Sequence, residues 1–129
     1  MAAETSQTIY IVDDDESVRV ALTRLFRSSG RTAIALSSVE ELLRCNGLKS
    51  ACCIVADLRL AGADGFAIPG ELRHIGINLP VIIVTAHDTE KVREQARRAG
   101  VVAFFHKPVD DRALLDAIDW AVAGTGSQR

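Results

Sequence analysis

Six side chains suited to polar chemistry stand just after short apolar runs: Asp13, Asp14 and Asp15 after residues 9–12, Asp57 after 52–56, Thr85 after 81–84, and Lys107, followed by Pro108, just beyond 101–105. Carboxylates crowded together repel one another unless a hard cation neutralises them, and oxygen donors with room left for water suit Mg²⁺. A carboxylate beside such an ion can act as a nucleophile toward phosphorus and form an aspartyl phosphate. A lysine ammonium and a threonine hydroxyl then stabilise the oxygens of the group in transit. Asp57, flanked by these residue types, has every part that a phosphoryl transfer requires.

Taken singly, each residue has a plainer explanation. Asp13, Asp14 and Asp15 could cap a following helix, and Asp15 suits that role as well as any other. Lys107 alone reads as a solvated charge and Thr85 as a helix-entry residue. Asp57 is harder to dismiss, because Cys52-Cys53-Ile54-Val55-Ala56 precede it and a carboxylate at the end of a buried strand is costly without a partner. Shared placement raises the others. His87 and His106 lie near the same rim but read as surface residues rather than metal ligands, and His74 carries no signal. Lys91, Arg93, Arg97 and Arg98 form a basic stretch that reads as a solvated or partner-facing surface. The chain has no P-loop, G-x-S-x-G elbow or dinucleotide fingerprint.

The elements that must position these groups follow from periodicity. Apolar runs at 9–12, 32–36, 52–56, 81–84 and 101–105 read as strands of a parallel sheet covered on both faces. Between them, Val18, Ala21, Leu22, Leu25 and Phe26 fall on one face of a first helix that Gly30 ends. Ser38 and Glu41 have capping-box spacing and open a second helix carrying Leu42 and Leu43. A third runs from about 65 to 74, with Pro69 in its first turn. Asp88 caps a fourth, with Val92, Ala96 and Ala99 inward and Gly100 at its end; Asp110 caps a fifth that buries Leu114, Leu115, Ile118 and Val122. The expected fold is α/β and flavodoxin-like, (βα)₅, a doubly wound five-stranded parallel sheet in the order 2-1-3-4-5 with helices on both faces. Ligands in such sheets bind outside the carboxyl ends of the strands, where all six groups would converge.

The 129 residues fit a single domain, 1–129, with a short tail at 1–7 and a tail or linker start at 124–129. A composition 48% hydrophobic and 25% charged is that of a folded soluble protein, and a net charge of −2 gives no general attraction to nucleic acid or anionic lipid. Cys45, Cys52 and Cys53 lack metal-site spacing and read as buried free thiols in a reducing compartment. No apolar run reaches the ~20 residues of a membrane span, and 1–7 lacks a signal-peptide core, so a cytoplasmic location is expected.

Ile11-Val12-Asp13-Asp14, then Asp57, Val84-Thr85-Ala86 and Lys107-Pro108, resembles the signature of bacterial two-component response regulator receiver domains, the CheY-like superfamily, over essentially the whole chain. The stretch 12–19 and Thr85-Ala86-His87 resemble the FixJ-like group. The resemblance implies phosphorylation of Asp57 by a sensor histidine kinase, with Mg²⁺ held by Asp14, Asp57 and the backbone carbonyl of Arg59, and by Asp13 through water. It further implies that Thr85 moves toward the phosphoryl group, that Lys107 pairs with it, and that Phe104 rotates as a switch aromatic. Output would leave through the fourth helix, fifth strand and fifth helix, a face that commonly mediates homodimerisation in the FixJ-like group. Such a chain catalyses only its own phosphoryl transfer and autodephosphorylation, and is otherwise no enzyme. FixJ-like regulators commonly carry a DNA-binding output domain, so the chain is expected to be a stand-alone receiver or the input half of a transcriptional regulator continuing beyond Arg129. Leu60-Ala61-Gly62 and Ile68-Pro69-Gly70 depart from the usual pattern around the loop after Asp57 and the start of the third helix. Two other classes are weighed against this reading. A phosphorylation-independent binding module would not need the clustered carboxylates, and a phosphatase would need a second acid two residues past Asp57, where Arg59 stands.

Overall fold

The structure, a computed structural model, describes residues 8–60 and 63–127. The expected tail at 1–7, the loop residues Ala61 and Gly62, and residues 128–129 lie outside the described residues. The main sheet has five parallel strands: β1 (Thr8–Val12), β2 (Thr32–Leu36), β3 (Cys53–Ala56), β4 (Val81–Thr85) and β5 (Ala103–His106), in the order 2-1-3-4-5. Five helices connect and follow them: α1 (Glu16–Ser28), α2 (Val39–Leu43), α3 (Ile68–His74), α4 (Glu90–Ala99) and α5 (Asp111–Ser127). Alternate strand residues feed two cores. Tyr10, Val12, Ile54 and Ile83 pack with α2, α3 and α4 on one face, and Ile9, Ile11, Val55 and Ile82 pack with α1 and α5 on the other. No helix among the described residues is long and apolar enough to cross a membrane.

Coverage on both faces holds for the three central strands and weakens at the edges. Ile34 on β2 is 38% exposed, and β5 is half-buried to exposed, because an edge strand has a neighbour on one side only. Several boundaries also differ from expectation. Cys52 precedes β3 and is half-buried, as is Cys45, so only Cys53 is a buried thiol. β5 begins and ends later than the apolar run, taking in His106 and leaving out Val101 and Val102. Ala21 on α1 is exposed, and on α5 Ala121 is buried in place of Leu115 and Val122, which are half-buried; both faces are rotated slightly from the sequence-based stripe. Ala99 on α4 is likewise only half-buried. Residues 124–127, expected as a tail, continue α5.

The caps explain where the helices start. Asp15 caps α1 by accepting from the Ser17 amide, Ser38 caps α2 by accepting from Glu41, and Asp110 accepts from Ala113 ahead of α5. The cap of α4 is Thr89, whose Oγ1 accepts from the Val92 amide, and not Asp88. Asp88 is instead gripped by the Arg93 guanidinium fork, at 2.6 and 2.7 Å. The third helix is shorter than expected: residues Gly65–Ala67 form a 3₁₀ turn, and α3 follows with Pro69 in its first turn.

Between β3 and α3 the chain makes a two-residue antiparallel pair, Arg59–Leu60 with Ala63–Asp64. Leu60 is buried, Asp64 accepts from the Phe66 amide, and the Gly65 amide donates to the Leu58 carbonyl at 2.7 Å. A Cβ on Gly65 would overlap the Asp57 carbonyl oxygen and press on Leu58 Cα and Ile83 Cδ1 at 3.1 Å. Backbone neighbours cannot swing aside, so Gly65→Ala should lower stability by about 2 kcal/mol. Urea unfolding checks this as a reduced midpoint, with Gly70→Ala, an open helical position, as a control that gains up to about 1 kcal/mol.

Candidate functional site

The sheet register sets the site. Val12 is paired with Ala56 and with Leu36, and Ala56 with Ile83, so β1 and β3 end level and their next residues, Asp13 and Asp57, emerge side by side. The Asp57 amide donates to the Val12 carbonyl at 3.0 Å, and the Asp13 amide to the Leu36 carbonyl at 3.0 Å. One strand further on, Thr85 is level with His106, and the Lys107 amide donates to the Thr85 carbonyl at 2.8 Å. That bond directs the lysine back over the strand ends; the Lys107–Pro108 peptide is cis.

Asp13 is the buried member of the acidic run, its side chain 4% exposed. Both its oxygens are used: Oδ1 accepts from the Asp15 amide at 2.9 Å, and Oδ2 from Lys107 Nζ at 3.2 Å. Asp57 is partly open, its side chain 13% exposed; Oδ1 accepts from the Leu58 amide at 2.8 Å, and Oδ2 lies 3.6 Å from Lys107 Nζ. Asp14 is exposed. Asp13, Asp14 and Asp57 each bring a carboxylate oxygen to within 4.8 Å of the others, while Asp15 is spent on its cap. Oxygens sharing one Mg²⁺ at ~2.1 Å are at most about 4.2 Å apart, so this all-oxygen set fits a hard cation after small adjustment or with one water interposed.

Thr85 is fully buried, and its Oγ1 accepts from the His87 amide at 3.1 Å. Arg59 is exposed in the pair beside Asp57. Phe104 lies on β5, two strands from Asp57, half-buried on the face shared with α4, its ring 6.4 Å from that of Phe66. His87, His106 and His74 are exposed and outside the acidic cluster. Of the basic stretch, Arg93 serves Asp88, and Arg97 and Arg98 pair with Glu94. Trp120 is 65% exposed on α5. Sequence reasoning passed over Arg19, whose Nη1 donates to the Asp13 carbonyl at 2.8 Å. In the sequence it is the basic residue that ends the stretch 12–19, four positions past the Asp15 cap, with no role assigned to it.

Burial pushes the Asp57 carboxyl above its ordinary value, and the Asp13 charge adds to the rise; Lys107 and the Leu58 and Arg59 amides oppose it. The carboxylate therefore sits where its own charge is disfavoured unless a cation stands beside it.

Known proteins share this chain's sequence pattern and fold. The family model described as "Response regulator receiver domain" matches residues 9–119. Nodulation protein W of Bradyrhizobium diazoefficiens is 37% identical over 127 residues, covering 98% of this chain and 55% of that protein. Transcriptional regulatory protein FixJ of Rhizobium meliloti is 32% identical over 122 residues, covering 91% of this chain and 57% of that protein. The chain thus spans little more than half the length of these relatives. Among solved structures, FixJ-N superposes with a TM-score of 0.82 at 30% identity, covering 93% of this chain and 96% of that one.

With its folded pKa raised above 3.8, Asp57 holds its proton more tightly in the native chain than in the unfolded one. Its contribution to stability is complete below pH 3.8 and is lost as pH rises through the folded value. Carbon NMR of the Asp57 carboxyl in chelator should show a higher midpoint in the native chain than in the unfolded one. In Asp57→Asn, urea unfolding across the same pH window should lose this component.

Proposed function

The chain belongs to the response regulator receiver domain family, with FixJ-like regulators among its relatives, and on that premise we propose that Asp57 accepts a phosphoryl group from a sensor histidine kinase in the presence of Mg²⁺. The observation that carries the proposal is the convergence of Asp13, Asp14 and Asp57 on one point, with the Lys107 ammonium 3.2 and 3.6 Å from two of them. An Asp57 oxygen forms the new O–P bond while the P–N bond of the donor phosphohistidine breaks, and the imidazole nitrogen keeps the bonding pair. Asp14, Asp57 and the Arg59 carbonyl would hold Mg²⁺, with Asp13 acting through water, and the ion would neutralise the clustered negative charge.

The chain's own residues do the rest. Asp13 fixes the ammonium of Lys107 beside the acceptor, so that after transfer the lysine pairs with a phosphoryl oxygen. Thr85 offers its hydroxyl to another oxygen, and Phe104 turns inward to follow it. The changed surface is the face of α4, β5 and α5, suited to a second copy of the chain in a homodimer or to an output domain beyond Arg129. The match to about half of longer transcriptional regulators supports a role as the input half of such a protein. The domain works in the cytoplasm, binds no nucleic acid itself, and turns over no substrate other than its own phosphoryl group.

Incubation with a small phosphodonor and Mg²⁺ should add one phosphoryl group, mapped to Asp57 by tandem mass spectrometry. Chelator and Asp57→Asn should each abolish it. A label on another residue, or no label in the wild-type chain with millimolar Mg²⁺, would overturn the proposal in favour of a phosphorylation-independent binding module.

A further inference from the structure

We infer that Arg19 is a positioning residue for the acidic cluster, holding through the Asp13 carbonyl the peptide from which Asp14 projects. The inference rests on the phosphoacceptor reading above. Asp14 is exposed, and among the described residues its side chain has no hydrogen-bond partner, so its direction is set by its backbone alone. The neighbouring peptides are tied by other means: the Asp13 amide donates to Leu36, and the Asp15 amide to Asp13 Oδ1. For the peptide between Asp13 and Asp14, the bond from Arg19 Nη1 at 2.8 Å is the one hold among the described residues.

The helix places this arginine. Its amide donates to the carbonyl of the cap residue Asp15, putting it one turn into α1, and long helical side chains lean toward the helix N-terminus. The side chain thereby reaches back six residues to Asp13 along a half-buried path. The Arg19 charge is also felt at Glu41, whose carboxyl is held low mainly by the Ser37 amide and hydroxyl.

Two effects of Arg19 oppose each other, and their signs separate them. Its positive charge repels a cation at the cluster, whereas its hydrogen bond preorients Asp14. If charge were all that mattered, removing Arg19 would tighten Mg²⁺ binding; positioning requires the reverse. Arg19→Met keeps the apolar stem without a donor, Arg19→Gln is too short to reach the carbonyl, and Arg19→Lys keeps both charge and donor.

Mg²⁺ titration of the unphosphorylated protein, followed by amide NMR shifts, should show about tenfold weaker binding in Arg19→Met and Arg19→Gln. Arg19→Lys should stay close to wild type. Labelling by a small phosphodonor should slow at low Mg²⁺ in the first two variants and recover when the ion saturates. Urea midpoints identify any variant that fails to fold, and the other then decides. Unchanged or tighter Mg²⁺ binding in the folded variants overturns the inference, as does a labelling rate that stays low at saturating Mg²⁺. A wild-type chain that neither binds Mg²⁺ nor takes the label sinks the phosphoacceptor reading itself, a result distinct from either.

Discussion

Lys107 stands between two carboxylates withdrawn from solvent at the ends of neighbouring strands. Asp13 is nearly closed off from solvent, Asp57 is half so, and the ammonium lies within 4 Å of both. Negative charges drawn out of water side by side repel each other and lose hydration, and a positive charge placed between them offsets both costs. The lysine arrives from β5, beyond β4 in the sheet, so its position depends on strand order and on the bond from its amide to the Thr85 carbonyl. The register of the central strands can thus be read as the means of bringing one cation to two anions.

Much of this was legible in the sequence, because each reactive residue stands where an apolar run stops. A buried parallel strand has nowhere to place a carboxylate except its end, so Asp57 after 52–56 located both the strand and the site. Ser38 and Asp110 were legible as caps for the same reason: their side chains are short and nothing else claims them. Asp88 was misread because Arg93, five residues on, claims it, leaving Thr89 to cap α4. Spacing alone gives a helix face but not the orientation at which neighbours receive it, which is why Ala121 rather than Leu115 or Val122 is sealed on α5. Arg19 was illegible for a different reason. Its partner is a backbone carbonyl, and a carbonyl leaves no mark in the residue sequence.

The segment after Asp57 shows how a departure from the family pattern is absorbed. Arg59–Leu60 and Ala63–Asp64 form a small antiparallel pair that Leu60 docks into the core, Asp64 turns into the 3₁₀ segment, and buried Pro69 starts α3. Gly65 closes the loop against the backbone of Asp57. The unusual sequence is therefore built around Asp57 and leaves the acidic cluster intact.

Three consecutive aspartates end up with separate duties, one pinned by a lysine, one open to solvent, one spent on a helix, and Thr85 shows a similar economy within a single atom. Its Oγ1 receives the His87 amide, which leaves the hydroxyl proton to be given elsewhere. Any bond given by that proton meets the bond from the His87 amide at one oxygen, so the end of β4 and the segment leading into α4 are joined through a single atom.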